Sequence, residues 1–157
     1  MSVLWVEHRG SILFAGKQAL EAEGYRVLEA STPADAQHHW ERRSAIPISC
    51  VILDPRIPST GLSEKQKARA GVLSGWIWLK DQVLLDMPEM GCRTIIFTDC
   101  LDELLPELAE AEEMGIQCIR KESNLLVPKD LVVRVGKILT MDWGGRERVA
   151  KRFERRY

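Results

Sequence analysis

Residues 48–58, ISCVILDPRIP, decide the fold. Ile48 to Leu53 is short, almost continuously apolar and rich in β-formers, which reads as a strand buried on both faces. Ile46-Pro47 breaks the chain before it, and Pro55 and Pro58 punctuate the chain after it. Asp54, a carboxylate, stands directly at the carboxyl end of the run. Strands buried on both faces belong to parallel sheets covered by helices, so further strands and crossover helices are expected on either side.

The flanking sequence supplies them. Upstream, Val3 to Val6 is a second short apolar run, ended by Glu7-His8-Arg9-Gly10. Ser11 is placed to cap a helix whose Ile12, Gly16, Ala19 and Leu20 recur at helical spacing, with Gly24 as its stop. Tyr25 to Ala30 reads as a strand, and Ser31 or Thr32 before Pro33 opens a helix to about Arg43. Downstream, Pro55 to Gly71 is long, polar and rich in turn formers. Gly75 to about Asp86 reads as a helix with Trp76, Leu79 and Val83 on one side. Thr94 to Phe97 is a strand ending at Thr98-Asp99. Glu103 to Met114 reads as a helix with Pro106 in its first turn. Ile116 to Ile119 is a strand followed by Lys121, and Lys129 to Thr140 is a last helix. This βαβαβαβαβα alternation with right-handed crossovers predicts a three-layer α/β/α sandwich around a five-stranded parallel sheet. One domain is expected over residues 1–140, with a basic tail or helix extension over 141–157.

The composition agrees. The chain has 157 residues, 45% hydrophobic and 29% charged, enough to build one real core. Lys plus Arg total 22 and Asp plus Glu total 23, a formal net charge of −1 that argues against a general nucleic-acid-coating or membrane-surface role. MSVLWVEHRGS lacks the pattern of a secretory leader, and no apolar run reaches the length of a membrane span. Cys50, Cys92, Cys100 and Cys118 form no CxxC pair and no zinc pattern, so reduced thiols in a cytoplasmic protein are expected. In the tail, GGRERVAKRFERRY carries six basic and two acidic residues. Val149 and Phe153, four apart, could dock on the domain or on a partner, and no nucleic-acid recognition motif is present.

Ligands of open α/β sheets bind outside the carboxyl ends of the strands. Glu7 and His8 follow the first strand, Asp54 the third, Thr98 ends the fourth and Lys121 follows the fifth. Two acids, a hydroxyl and an amine at one sheet edge suit phosphoryl transfer. A carboxylate can serve as nucleophile, neighbouring acids can hold a divalent ion, and lysine and hydroxyl can hold phosphoryl oxygens.

These fragments, in order, resemble the receiver domains of bacterial two-component response regulators. VLWVEH is similar to the family's first strand with its acidic end, EGYRVLEA to its second strand, and VILDPRIP to its phosphoacceptor segment. IIFTD is similar to the strand ending in a switch threonine or serine, and CIRKES to the lysine-bearing fifth strand. The resemblance covers about residues 2 to 139 and implies a flavodoxin-like sheet of order 2-1-3-4-5. It implies that Asp54 is the phosphoacceptor, and that Thr98 and Lys121 contact the phosphoryl group. Glu7, Asp54 and the Arg56 backbone carbonyl would then hold Mg2+.

The sequence departs from that pattern at several points. His8 stands where the family has a second metal-binding acid. Magnesium prefers hard oxygen ligands, so an imidazole there weakens the site. Cys118 replaces a switch aromatic, Glu122 replaces the proline after the lysine, and Asp99 adds negative charge beside Thr98. The segment from Pro58 to Gly75 exceeds the family's loop length; it reads as a solvated excursion, or more sharply as a lid or partner contact. Trp76 and Trp78 are expected not to share one face of a helix, which would leave one exposed at an interface.

Two functions are consistent with these residues. In one, a stand-alone receiver-like protein accepts a phosphoryl group on Asp54 from a histidine kinase or phosphotransfer protein and signals to a downstream protein. In the other, a pseudo-receiver binds its protein partner without phosphorylation, and a homodimer is left open in either case. An enzyme is not expected. A haloacid-dehalogenase-type phosphatase would need an acid at Arg56, and Glu7-His8-Arg9-Gly10 does not resemble the phosphate-binding loop of a flavin carrier.

Overall fold

The apolar runs become parallel strands whose side chains divide between two cores. In a computed structural model, which describes residues 1–121 and 129–141, the strands are β1 (Ser2–Val6), β2 (Arg26–Ala30), β3 (Ile48–Leu53), β4 (Thr94–Thr98) and β5 (Gln117–Arg120). The helices are α1 (Gly10–Ala22), α2 (Pro33–Glu41), α3 (Glu64–Ala70), α4 (Ser74–Trp78), α5 (Leu105–Glu113) and α6 (Lys129–Thr140). The sheet runs β2-β1-β3-β4-β5, with every pairing parallel, the flavodoxin-like order expected from the sequence.

Side chains alternate between the faces of each strand. Val3, Trp5, Cys50, Ile52, Ile95 and Phe97 pack in one core with residues of α1 and α6. Leu4, Val6, Val51, Leu53 and Ile96 pack in the other with residues of α2, α4 and α5. The basic tail beyond Met141, with Val149 and Phe153, and Glu122 after β5 lie outside the described residues.

Local signals account for most helix ends. Thr32 Oγ1 accepts the Asp35 N–H at 3.2 Å, with Pro33 in the first turn of α2. The start of α1 differs from expectation: it begins at Gly10 without a side-chain cap from Ser11. Its entry is held instead by Glu7, whose Oε1 accepts the Arg9 N–H at 2.9 Å.

The segment between β3 and α4 corrects two expectations. It is no structureless excursion, because residues 64–70 form α3. A reciprocal capping box starts that helix: Ser63 Oγ accepts the Gln66 N–H at 3.2 Å, and Gln66 Oε1 accepts the Ser63 N–H at 3.0 Å. Gln66 and Arg69 then bind Asp81, which ties the insertion to the turns after α4. Gly61, at φ 97°, approaches Ala34 so closely that a Cβ would stand 2.6 Å from the Ala34 nitrogen.

The second correction concerns the tryptophans. Both Trp76 and Trp78 are buried, as is every residue of α4. α4 is packed by α2 and by the inserted α3, so it has no solvent face to offer. Trp78 Nε1 satisfies its donor on Gln37 Oε1 of α2 at 3.1 Å. The helix continues over Leu79–Leu84 in a wider π-type turn.

The cysteines are all unpaired; Cys50 and Cys100 are buried, while Cys92 and Cys118 are half-buried. Burial pushes the Cys50 thiol up to about 12 and the Cys118 thiol up to about 11.

α1 approaches the sheet at Gly16, over the ring of Trp5. A Cβ there would fall 2.0 Å from two ring atoms of Trp5, which itself packs edge-on against Phe97. Gly16→Ala is therefore expected to destabilise the fold by about 1–3 kcal/mol through overpacking, read as a lower urea midpoint.

Candidate functional site

Strand register brings the polar residues together. Val6 is the register partner of both Ala30 and Leu53, so Glu7 and Asp54 leave the sheet at the same level. Their backbones extend the pairing: the Glu7 N–H donates to Ala30 O and the Asp54 N–H to Val6 O, each at 2.9 Å. Thr98 pairs with Arg120, and the Lys121 N–H donates to Thr98 O at 2.9 Å. Lys121 thus starts one strand beyond Thr98, and its side chain crosses back over β4, with Nζ 5.3 Å from the Phe97 ring centroid.

The result is a buried ionic cluster. Lys121 Nζ donates to Asp54 Oδ2 at 2.5 Å and also to Glu7 Oε2. All three side chains are nearly inaccessible, at 5%, 3% and 0% exposure for Lys121, Asp54 and Glu7. Asp54 Oδ1 accepts the Arg56 N–H at 3.0 Å and the Thr98 hydroxyl at 3.3 Å. Thr98 Oγ1 also lies 3.0 Å from Cys100 Sγ. Asp54 is thereby held by a peptide donor, a hydroxyl and an ammonium from three different chain segments. Cys118 packs half-buried against the core on the α2/α4 side of the sheet.

Glu7, His8 and Asp54 each offer one ligand atom, and these atoms lie within 4.8 Å of one another. Two carboxylates and an imidazole fit a divalent cation. Beside the two carboxylates, the imidazole offers a borderline nitrogen, whereas magnesium prefers hard oxygen donors. His8 is 41% exposed, with Nδ1 3.6 Å from Glu7 Oε1.

Three arginine side chains complete the rim; of these residues the sequence singles out only Arg56, for its backbone carbonyl and not for its side chain. Arg9 reaches Asp99 Oδ2 through Nη1 at 3.0 Å, while its Nη2 stands 3.7 Å from Asp54 Oδ2. The Arg56 side chain pairs with Glu103, and Arg120 pairs with Asp102 at 2.7 Å. The acidic segment after β4 is thus tied to the ends of β1, β3 and β5. The negative charge that Asp99 adds beside Thr98 is faced directly by Arg9. Burial lowers the pKa of the Arg9 guanidinium, but Glu7, Asp99 and Asp54 outweigh that and hold it above its ordinary value.

No family model matches the chain, and no curated protein does. Solved structures do. A response regulator receiver domain protein from Clostridium thermocellum is similar with a TM-score of 0.63 at 24% identity, over 88% of this chain and 93% of that one. A CheY-like receiver domain protein from Methanospirillum hungatei gives 0.63 at 20% identity, over 93% and 95%. The receiver domain of NtrX from Brucella abortus gives 0.64 at 18% identity, over 89% and 99%. The chain has the fold of response regulator receiver domains. Among the described residues no helix is long and apolar enough to cross a membrane.

The Arg9–Asp99 pair carries a pH dependence. Burial raises the Asp99 carboxyl, but the charge and hydrogen bond of Arg9 prevail and hold it below its ordinary value of 3.8. A depressed folded value stabilises the fold above the unfolded value and loses that contribution as pH falls through the acidic range. Asp99 is 53% exposed, so the contribution is screened to no more than about 1 kcal/mol. Asp99→Asn is expected to be less stable than wild type at pH 7, with the gap closing as pH falls below about 4. Urea midpoints across that range check it.

Proposed function

We propose that this chain is a receiver module in phosphorelay signalling that accepts a phosphoryl group on Asp54. The observation that carries this reading is the buried Asp54 carboxylate held between Lys121 Nζ, the Thr98 hydroxyl and the Arg56 N–H. In the proposed step, a carboxylate oxygen of Asp54 attacks the phosphorus of a phosphohistidine. The new O–P bond forms as the N–P bond breaks, and the electron pair leaves with the imidazole, which takes up a proton. The donor is a histidine kinase or a phosphotransfer protein.

The chain's own residues set up that step. The Arg56 N–H and Thr98 hydroxyl orient Asp54 Oδ1, and Lys121 neutralises Oδ2. After transfer, the Lys121 ammonium and the Thr98 hydroxyl are the donors closest to the incoming phosphoryl oxygens, where fixed positive charge is most effective. A divalent ion such as Mg2+ held by Glu7, His8, Asp54 and the Arg56 carbonyl would add charge neutralisation there. The added negative charge attracts the Thr98 hydroxyl, repels the acidic segment that follows it and competes for the arginines that hold that segment. That segment, with three salt bridges to neighbouring strand ends, is the surface proposed to respond to a downstream protein. The reading describes a signalling protein of the cytoplasm without turnover of its own.

One observation favours a second reading. Lys121 and Arg9 already face both acids, and His8 stands where a metal-binding carboxylate would be expected. A pseudo-receiver that binds its partner without phosphorylation would have such a self-neutralised pocket.

Intact-mass spectrometry after incubation with acetyl phosphate and magnesium separates the two. The phosphorylated reading expects one phosphoryl adduct on wild type and none on Asp54→Asn. Absence of an adduct on wild type, under conditions that label an ordinary receiver domain, would favour the pseudo-receiver.

A further inference from the structure

Arg9 stands within 4 Å of three carboxylates from three strand ends. Its Nε lies 3.6 Å from Glu7 Oε1, its Nη2 3.7 Å from Asp54 Oδ2 and its Nη1 3.0 Å from Asp99 Oδ2. Its backbone is fixed as well, because the Arg9 N–H donates to the same Glu7 Oε1 at 2.9 Å and the residue forms the cap of α1. The backbone of Arg9 is thus anchored on one of the acids that its guanidinium faces, and moving the guanidinium away releases Asp99. A planar fork with five donors suits this multiple contact, whereas a lysine ammonium would serve as a point charge.

The geometry points to Arg9 as an internal counter-cation that competes with a divalent ion for Glu7 and Asp54. Two carboxylates, Glu7 and Asp54, face two protein cations, Lys121 and Arg9. An ion reaching those carboxylates must displace positive charge already placed there, and it gains only an imidazole from His8 in return. Arg9 Nε is buried without a hydrogen-bond acceptor, as are Arg56 Nε at the rim and Trp5 Nε1 in the core. Such a donor is costly to leave unpaired, and the Glu7 carboxylate that Arg9 Nε faces stands 3.6 Å away, too far to satisfy it. The fold thus carries part of the charge of a metal centre in a side chain. The competition is a property of the acids and Arg9, independent of phosphorylation at Asp54.

Metal affinity tests it directly. Mn2+ serves as the probe, with free ion followed by its paramagnetic resonance signal against the full chain, and folding checked by circular dichroism. Arg9→Gln is expected to bind Mn2+ at least tenfold more tightly than wild type, and Arg9→Lys to stay closer to wild type because it keeps the charge. Equal affinities of wild type and Arg9→Gln would overturn the inference. Should Arg9→Gln fail to fold, wild type alone decides: the Arg9 Nε–Hε resonance is expected to shift as Mg2+ saturates the acids, and an unmoved resonance at saturation would overturn the inference. Neither readout involves phosphorylation, so a failure to label Asp54 and a failure of this competition are separate results.

Discussion

The contact of Lys121 with Asp54 and Glu7 is the constraint on which the carboxyl edge of the sheet depends. Burying an ion is expensive, and a buried charge is tolerated only where paired and hydrogen-bonded. Each of the three groups is nearly inaccessible, so each requires the others. For them to meet, β1 and β3 must end at one level, and β5 must start its return loop beside Thr98. The side chain must also cross β4, which it does over the ring of Phe97. The ionic cluster and the parallel register are therefore one arrangement seen from two sides.

Around that cluster the rim repeats the same logic in solvent. Arg9, Arg56 and Arg120 each take one acid of the segment that follows β4. Exposed pairs of this kind contribute little singly, about 0–1 kcal/mol. Their effect is positional: the segment next to Thr98 is anchored to three strands by bonds that a change of charge at Asp54 can rebalance. The interior is fixed by desolvated charge, the rim by exchangeable charge, and Arg9 belongs to both.

Much of this is legible in the sequence because strand ends are local. The run ISCVIL followed by Asp54 identifies both the buried strand and its functional terminus, and the same reading places Glu7, Thr98 and Lys121 at one edge. The helix α3 is missed because Pro58 to Gly75 has turn-former composition, although Ser63 and Gln66 carry a capping-box spacing that could have revealed it. Trp78 is misjudged for a different reason: helical periodicity assumes one solvent face, and the insertion removes it. Arg9 and Asp99 are separated by 90 residues, and no local pattern announces their contact. Only the fold brings them together.

A double-mutant cycle on Lys121→Met and Asp54→Asn, read by urea unfolding, tests the cluster most directly. Removing the ammonium alone leaves two buried carboxylates with only Arg9 facing them, a loss of about 3–5 kcal/mol. The account expects part of that loss to vanish when Asp54 is also neutralised, a coupling of at least about 1.5 kcal/mol for so close a pair. Losses that add to within about 0.5 kcal/mol would show the two side chains to be independent, and would contradict the account.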